Sequence, residues 1–134
     1  MMATVEQRNH AKSFLNKAEE YLASAEDNLT AERHTPAAGD AIHSGISSKD
    51  AIVTVLTGST SKGKDHATAA KELKQTLGKR PEAATAEKAL RELLSAKGDV
   101  EYGVALVTAT KAEPRVRRAQ ALLELAVQIV RLGR

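Results

Sequence analysis

Apolar residues recur four and three positions apart along most of this chain, and this spacing restricts the fold more than any other feature. A period near 3.6 residues places such side chains on one face of an α-helix, whereas a strand would need strict alternation. The first stripe consists of Ala11, Leu15, Ala18, Leu22, Ala25 and Leu29. It predicts a helix from about Val5 to Ala31, which Thr4 and Gln7 begin as a capping box.

Prolines and glycines divide the rest of the chain into further helices. Proline suits the first turn of a helix, and glycine suits the position after its end. We therefore expect helices at about 35–57 and 65–77, one that begins at Pro81, and a last one that begins near 108 or 110 with Pro114 in its first turn. Residues 98–107 alternate as a strand does, but a lone strand has no partner, so we expect an irregular connection.

These elements predict an all-α, up-and-down bundle of four main helices and one short helix, in a single domain over residues 1–134. The chain has no cysteine, which excludes disulfides, thiolate zinc sites and cysteine nucleophiles. Its three aromatic residues are too few for a base-stacking sheet. Because no apolar run approaches the roughly 18 residues of a membrane span, we expect no membrane partner, and without the apolar stretch of a signal peptide we expect a cytoplasmic protein. We also expect no cofactor.

Positive charge is concentrated in two blocks of the sequence. Residues 61–80 hold six Lys and Arg against two Asp and Glu, and residues 111–134 have the same balance, within a net charge of +3. The blocks form a phosphate-binding patch if the fold brings them together; otherwise each is a solvated helix face. The candidate phosphate-binding residues are Lys62, Lys64, His66, Lys97, Arg115 and Arg118.

The loop from Gly58 to Asp65 nearly matches the phosphate-binding pattern GxxxxGK[ST]. Asp65, however, occupies the place of the magnesium-binding hydroxyl, and its carboxylate would repel phosphates. The pattern also needs a preceding strand, which this sequence does not predict. Two interpretations stay open: a basic loop that binds an anion at a helix N-terminus, or a solvated connector.

Asp40 and His43 lie one turn apart on one face of the second predicted helix. With Ser47 and Asp50 they form a polar stripe, which either lines a cleft or binds neighbouring helices by hydrogen bonds. Together with His66, Asp40 and His43 would make only a dispersed set of metal ligands outside any known motif, so we expect no metal site.

Three segments resemble, in this order, the HEPN family (higher eukaryotes and prokaryotes nucleotide-binding). They are the small-residue-rich second helix at 37–52, the basic loop that enters the third helix at 63–73, and the leucine-rich segment at 90–103. The resemblance extends over about residues 5–132. It is closest to a bacterial-type single-domain member with a degenerate catalytic motif.

The resemblance implies a helical bundle that forms a homodimer and acts on RNA, in toxin–antitoxin or defence systems and often beside a nucleotidyltransferase. Catalytic members of the family are metal-independent ribonucleases, in which a histidine moves a proton at the ribose 2′-hydroxyl and an arginine stabilises phosphate charge. Here Lys97 occupies the place of the arginine, and Tyr102 occupies the place of the histidine. Lysine lacks the bidentate fork, and tyrosine, with a reference pKa of about 10, is a poor general base.

We therefore expect a non-catalytic, dimeric interaction module that binds nucleic acid, a nucleotide or a partner protein. The alternative is a ribonuclease that uses Lys97 and Tyr102, with Asp40 or His43 as the proton relay. In a purely structural interpretation, Tyr102 packs at the end of the bundle and Lys97 is a helix C-terminal cation.

Overall fold

The computed structural model describes residues 3–59 and 66–134, apart from the side chains of residues 66, 67, 99, 101 and 102, and these ranges contain helices and no strand. The helices are α1 (Val5–Thr30), α2 (His34–Thr57), α3 (His66–Leu77), α4 (Ala83–Ser95), α5 (Lys97–Tyr102) and α6 (Ala109–Ala126), and a π-helix (Val127–Arg131) continues α6. The all-α bundle predicted from the apolar spacing is confirmed.

Local sequence features set the start of α1 and the end of α2 as predicted. The start of α2 differs, because the helix begins at His34 after Arg33 with no side-chain cap, and the predicted cap at Thr35 before Pro36 is not formed. The capping box is formed: the Gln7 amide nitrogen donates to Thr4 Oγ1 at 3.1 Å, and the Thr4 nitrogen donates to Gln7 Oε1 at 2.8 Å. α2 ends at Gly58, whose φ of +96° lies in the left-handed region that favours glycine. Most of the loop predicted at 58–65 lies outside the described residues.

α2 is the central helix and contacts α1, α3, α4, α5 and α6. Its alanine, glycine and serine residues are buried on nearly every side, because small side chains let neighbouring helices approach closely. α1 runs antiparallel to α6, since Gln120 Nε2 donates to Glu26 at 2.9 Å and Arg131 donates to Glu19 at 2.8 Å. The hydrogen bond to Glu19, and then the Glu19 charge, raise the pKa of Arg131 above its ordinary value.

Gly45 lies where α2 crosses α4 and α6. A Cβ atom at this position would lie 2.6 Å from Leu93 Cδ1 and 3.4 Å from Leu122 Cδ1, and both leucines are buried. There is accordingly no room for a side chain at this crossing.

We expect Gly45→Val to lower the free energy of unfolding by about 2 kcal/mol, because the two methyl groups overpack the crossing. Urea denaturation followed by circular dichroism measures this change. Gly98→Ala is the matched control, since no atom lies within 4 Å of the added Cβ and alanine favours the helix. Equal unfolding midpoints for Gly45→Val and the parent chain would contradict the packing argument.

The prediction of an irregular connection at 98–107 is wrong for the first half of this segment, because residues 98–102 belong to α5. A Cβ atom at Gly39 would lie 3.5 Å from Val100 Cγ1, so α5 packs onto α2 at a residue without a side chain. This contact is a tertiary one that alternation along the sequence does not show. The connection proper covers residues 103–108.

Two features of the last helix also differ from expectation. Pro114 lies in the second turn of α6 and not in the first, so the Thr110 carbonyl lacks its helical N–H partner. In the π-helix, the Leu132 nitrogen donates to the Val127 carbonyl at 3.1 Å, five residues back in place of four.

Candidate functional site

An open cleft of about 380 Å³ lies where the C-terminal end of α4 meets the first turns of α6, and we call it the basic cleft. Three cationic side chains and two hydroxyl groups contribute to its walls. The lining residues are Glu92, Ser95, Ala96, Thr110, Lys111, Pro114, Arg115 and Arg118. Such a set of donors is suited to phosphate oxygens.

Helix geometry brings the three cations together. Lys111, Arg115 and Arg118 follow one another at intervals of four and three residues, which places them on one face of α6. Thr108 precedes α6 in an extended conformation, but its side chain makes no capping hydrogen bond. The first-turn amides and the positive end of the helix dipole therefore add to the attraction for an anion.

One ion pair crosses the basic cleft and joins its two walls. Arg118 Nε on α6 pairs with Glu92 Oε2 on α4, and each side chain is about one-third exposed. The pair ties the guanidinium of Arg118 to the opposite wall of the cleft. The carboxylate of Glu92 is the acidic group in the cleft lining, and it is paired with Arg118.

Arg115 and Arg118 are the predicted phosphate-binding residues that share the cleft. Lys97 is half-buried at the start of α5, directly after Ala96 of the cleft wall. Lys62 and Lys64 lie outside the described residues, as does the side chain of His66.

The sequence-based list of candidates did not include Lys111, Ser95 or Thr110. The four-residue interval between Lys111 and Arg115 was the available signal. The described parts of the two basic blocks meet at one point, where the Arg80 guanidinium donates to the Arg134 carbonyl oxygen at 2.7 Å, although α3 itself packs against α2 and α4.

Asp40 binds the neighbouring helix α1. Its Oδ2 accepts hydrogen bonds from Ser24 Oγ at 2.6 Å and from Asn28 Nδ2 at 3.0 Å, and Arg33 Nε donates to Asn28 Oδ1 at 2.8 Å. Of the two roles open for the polar stripe, the contacts of Asp40 therefore favour hydrogen bonding between helices. A shallow groove of about 640 Å³ runs beside it along α1.

The remaining catalytic candidates are not brought into one described cluster. The His43 ring stacks on Tyr21 of α1, with ring centroids 5.1 Å apart. Lys97 and Tyr102 belong to α5, and no hydrogen bond or ion pair joins Lys97 to Asp40 in residues 3–59 and 66–134. The side chain of Tyr102 lies outside the description.

We expect Asp40→Asn to lower the free energy of unfolding by about 1 kcal/mol, because it weakens charge-assisted hydrogen bonds to α1. RNA binding should not change, since Asp40 lies away from the basic cleft. Thermal unfolding and a binding titration measure the two quantities. Asp27→Asn, on the exposed side of α1, is the matched control; a loss of RNA affinity confined to Asp40→Asn would contradict the structural role.

Lys49 is a buried cation that sequence reasoning did not identify. Only 2% of its side chain is exposed, and its Nζ lies 2.5 Å from Glu72 Oε1 on α3 and 3.3 Å from Asp50 Oδ1 on α2. The ion pair with Glu72 ties α3 to the central helix. A lysine within the buried, small-residue part of α2 was the signal for it.

The described residues contain no group of three His, Asp or Glu that could hold a metal ion. Among these residues, no helix combines the length and the apolar character that crossing a membrane requires. Comparison with known proteins found no matching protein-family model, curated protein or solved structure. The fold and the cleft thus define an all-α bundle with a cationic surface site, and any family assignment rests on the sequence segments alone.

Proposed function

We propose that this protein is a HEPN-like interaction module that binds RNA through the basic cleft without cleaving it. The observation that carries the proposal is the convergence of Lys111, Arg115 and Arg118 at the uncapped N-terminus of α6. Arginine presents planar, bidentate donors that match phosphate, and the helix end favours negative charge. The hydroxyl of Thr110 adds a further donor to phosphate or ribose oxygens, whereas the Ser95 hydroxyl donates to the Glu92 carbonyl oxygen at 2.9 Å.

Two contacts support binding over catalysis. Glu92, the carboxylate of the basic cleft, is paired with Arg118, and Asp40, a candidate relay, is hydrogen-bonded to Ser24 and Asn28 of α1. A ribonuclease would need a general base close to the bound phosphate. The contacts of Glu92 and Asp40 hold both carboxylates to other side chains, which supports binding over the alternative that uses Lys97 and Tyr102.

A homodimer is part of the proposal. At the other end of the same α4–α6 junction from the basic cleft, the two helices form an apolar surface cavity of about 400 Å³ with small lining residues such as Ala86, Ala89 and Ala121, which permit close approach of a second molecule. Light scattering at micromolar concentration tests this, and a monomeric mass would contradict it. The toxin–antitoxin or defence setting and a nucleotidyltransferase partner stay predictions from the family resemblance.

The deciding experiment combines a binding titration with a cleavage assay on end-labelled RNA, without added metal. We expect intact RNA on a denaturing gel. We also expect an affinity that falls with salt at a log–log slope of about −2 on a single strand and about −3 on a duplex, as three neutralised phosphates require. Discrete products that vanish in Lys97→Ala would establish the ribonuclease instead. Affinity independent of salt would remove the basis for phosphate binding.

A further inference from the structure

Two aliphatic side chains project into solvent from the connection between α5 and α6. Val104 is 104% exposed and Leu106 is 83% exposed, relative to an extended reference chain. They alternate in the segment Gly103-Val104-Ala105-Leu106, all of it exposed, which we call the apolar tip. Single exposed aliphatic residues are common, but a fully exposed pair beside a candidate binding site calls for a partner.

The tip is held in place at its base. The Val107 nitrogen donates to Thr35 Oγ1 at 2.9 Å, at the start of α2. α5 precedes the tip directly, and α6 begins at Ala109. A short connection fixed at both ends presents its side chains in a defined position and lowers the entropy lost when they are buried by a partner.

The apolar tip lies next to the basic cleft. Two extended residues lead from Leu106 to Thr108, and about one turn of α6 leads from there to Lys111. The Cα atoms of Leu106 and Lys111 are therefore within about 12 Å of each other. This distance corresponds to a few base pairs along an RNA duplex.

The shape of this surface favours a nucleic acid over a flat lipid surface. A concave cationic cleft and a projecting apolar tip are complementary to the phosphate ridges and grooves of a duplex, whereas a bilayer cannot enter a cleft. The side chains of the tip are aliphatic, and aliphatic residues wedge between base steps, whereas single strands are bound by aromatic stacking. The minor groove of an RNA duplex is wide and shallow enough to admit a short connection.

We propose that Leu106 inserts into the minor groove of an RNA duplex at a weakly stacked step, such as a single-nucleotide bulge, while Lys111 and Arg115 hold the adjacent phosphates. Val104 packs beside it against the groove wall. This inference rests on the proposed function and gives it a substrate class, duplex RNA with a local defect. A bulge lowers the cost of unstacking, which is the source of the selectivity.

The test uses an RNA duplex with one bulged nucleotide and a 2-aminopurine at the flanking step, against the fully paired duplex. We expect the fluorescence of 2-aminopurine to rise on binding, and the bulged duplex to bind about tenfold more tightly, which corresponds to about 1.4 kcal/mol. Val104→Ser/Leu106→Ser should lose both effects yet keep the salt dependence. Val5→Ser/Leu132→Ser, which changes two other exposed apolar residues, is the matched control.

The outcomes separate this inference from the proposed function. If binding leaves the 2-aminopurine fluorescence unchanged, and the parent chain and the tip variant bind with equal affinity, the insertion of Leu106 is overturned. Phosphate binding by the basic cleft then remains in place. Absence of binding to both duplexes overturns both. Because the chain has no tryptophan, Leu106→Trp supplies a single reporter. A blue shift with vesicles containing phosphatidylserine, and no change with either duplex, would assign the tip to a membrane surface instead.

Discussion

Reversing two charges in the basic cleft, with Lys111→Glu and Arg115→Glu together, is expected to weaken RNA binding roughly 100-fold at near-physiological salt. Each reversal replaces an attraction to phosphate by a repulsion, and a tenfold loss per residue corresponds to about 1.4 kcal/mol. The log–log slope against salt should also become shallower by about one unit for each lost contact. Fluorescence anisotropy at several salt concentrations measures both quantities.

The matched control reverses two exposed lysines elsewhere, with Lys12→Glu and Lys79→Glu. This variant has the same net charge, but its changes lie on α1 and after α3, away from the cleft. We expect it to keep most of the affinity. An equal loss in both variants would show that overall charge, and not the cleft, attracts RNA. Thermal unfolding of each variant confirms that the fold is kept.

Removing the carboxylate of Glu72 is expected to destabilise the protein more than removing the cation it binds. Glu72→Gln takes one neutralising carboxylate from the ammonium of Lys49, which is buried, so we expect a loss of about 3 kcal/mol. Lys49→Met removes the charge together with its desolvation cost and fills a similar volume. It should therefore cost less than about 1 kcal/mol.

The double variant completes a thermodynamic cycle. Without the buried cation, the neutral amide introduced by Glu72→Gln no longer faces an uncompensated charge. Lys49→Met/Glu72→Gln should therefore recover most of the stability lost in Glu72→Gln alone. Urea denaturation of the four proteins gives the coupling energy. A loss in Lys49→Met as large as that in Glu72→Gln would show that the ion pair itself stabilises the junction of α2 and α3.

Those parts of the fold that depend on residues close together in the sequence were predictable from the sequence. The capping box at Thr4 and Gln7, and the stop at Gly58, act within one helical turn, and the predicted ends of α1 and α2 agree with the structure to within one residue. α5 was not predictable in this way. Its formation follows the packing of Val100 over Gly39, a contact between residues far apart in the sequence.

In the candidate site too, local sequence patterns predicted some features, while others depend on how the helices pack. The basic block at 111–134 was enough to select Arg115 and Arg118, and helical spacing within it would have added Lys111. That α4 supplies the other wall, with Glu92 paired to Arg118, depends on how the two helices are rotated against each other. The burial of Lys49 also required the position of α3, which local patterns do not give.

The π-helix at the end of α6 has a consequence for recognising relatives of this protein. Hydrogen bonding to the fifth residue back places about one residue more in the turn than an α-helix holds, while Ile129 and Val130 are still buried. A homologue whose last helix is regular would therefore align with this chain only through a one-residue gap within 127–131. Without that gap, the buried Ile129 and Val130 would be out of register with the buried positions of the regular helix.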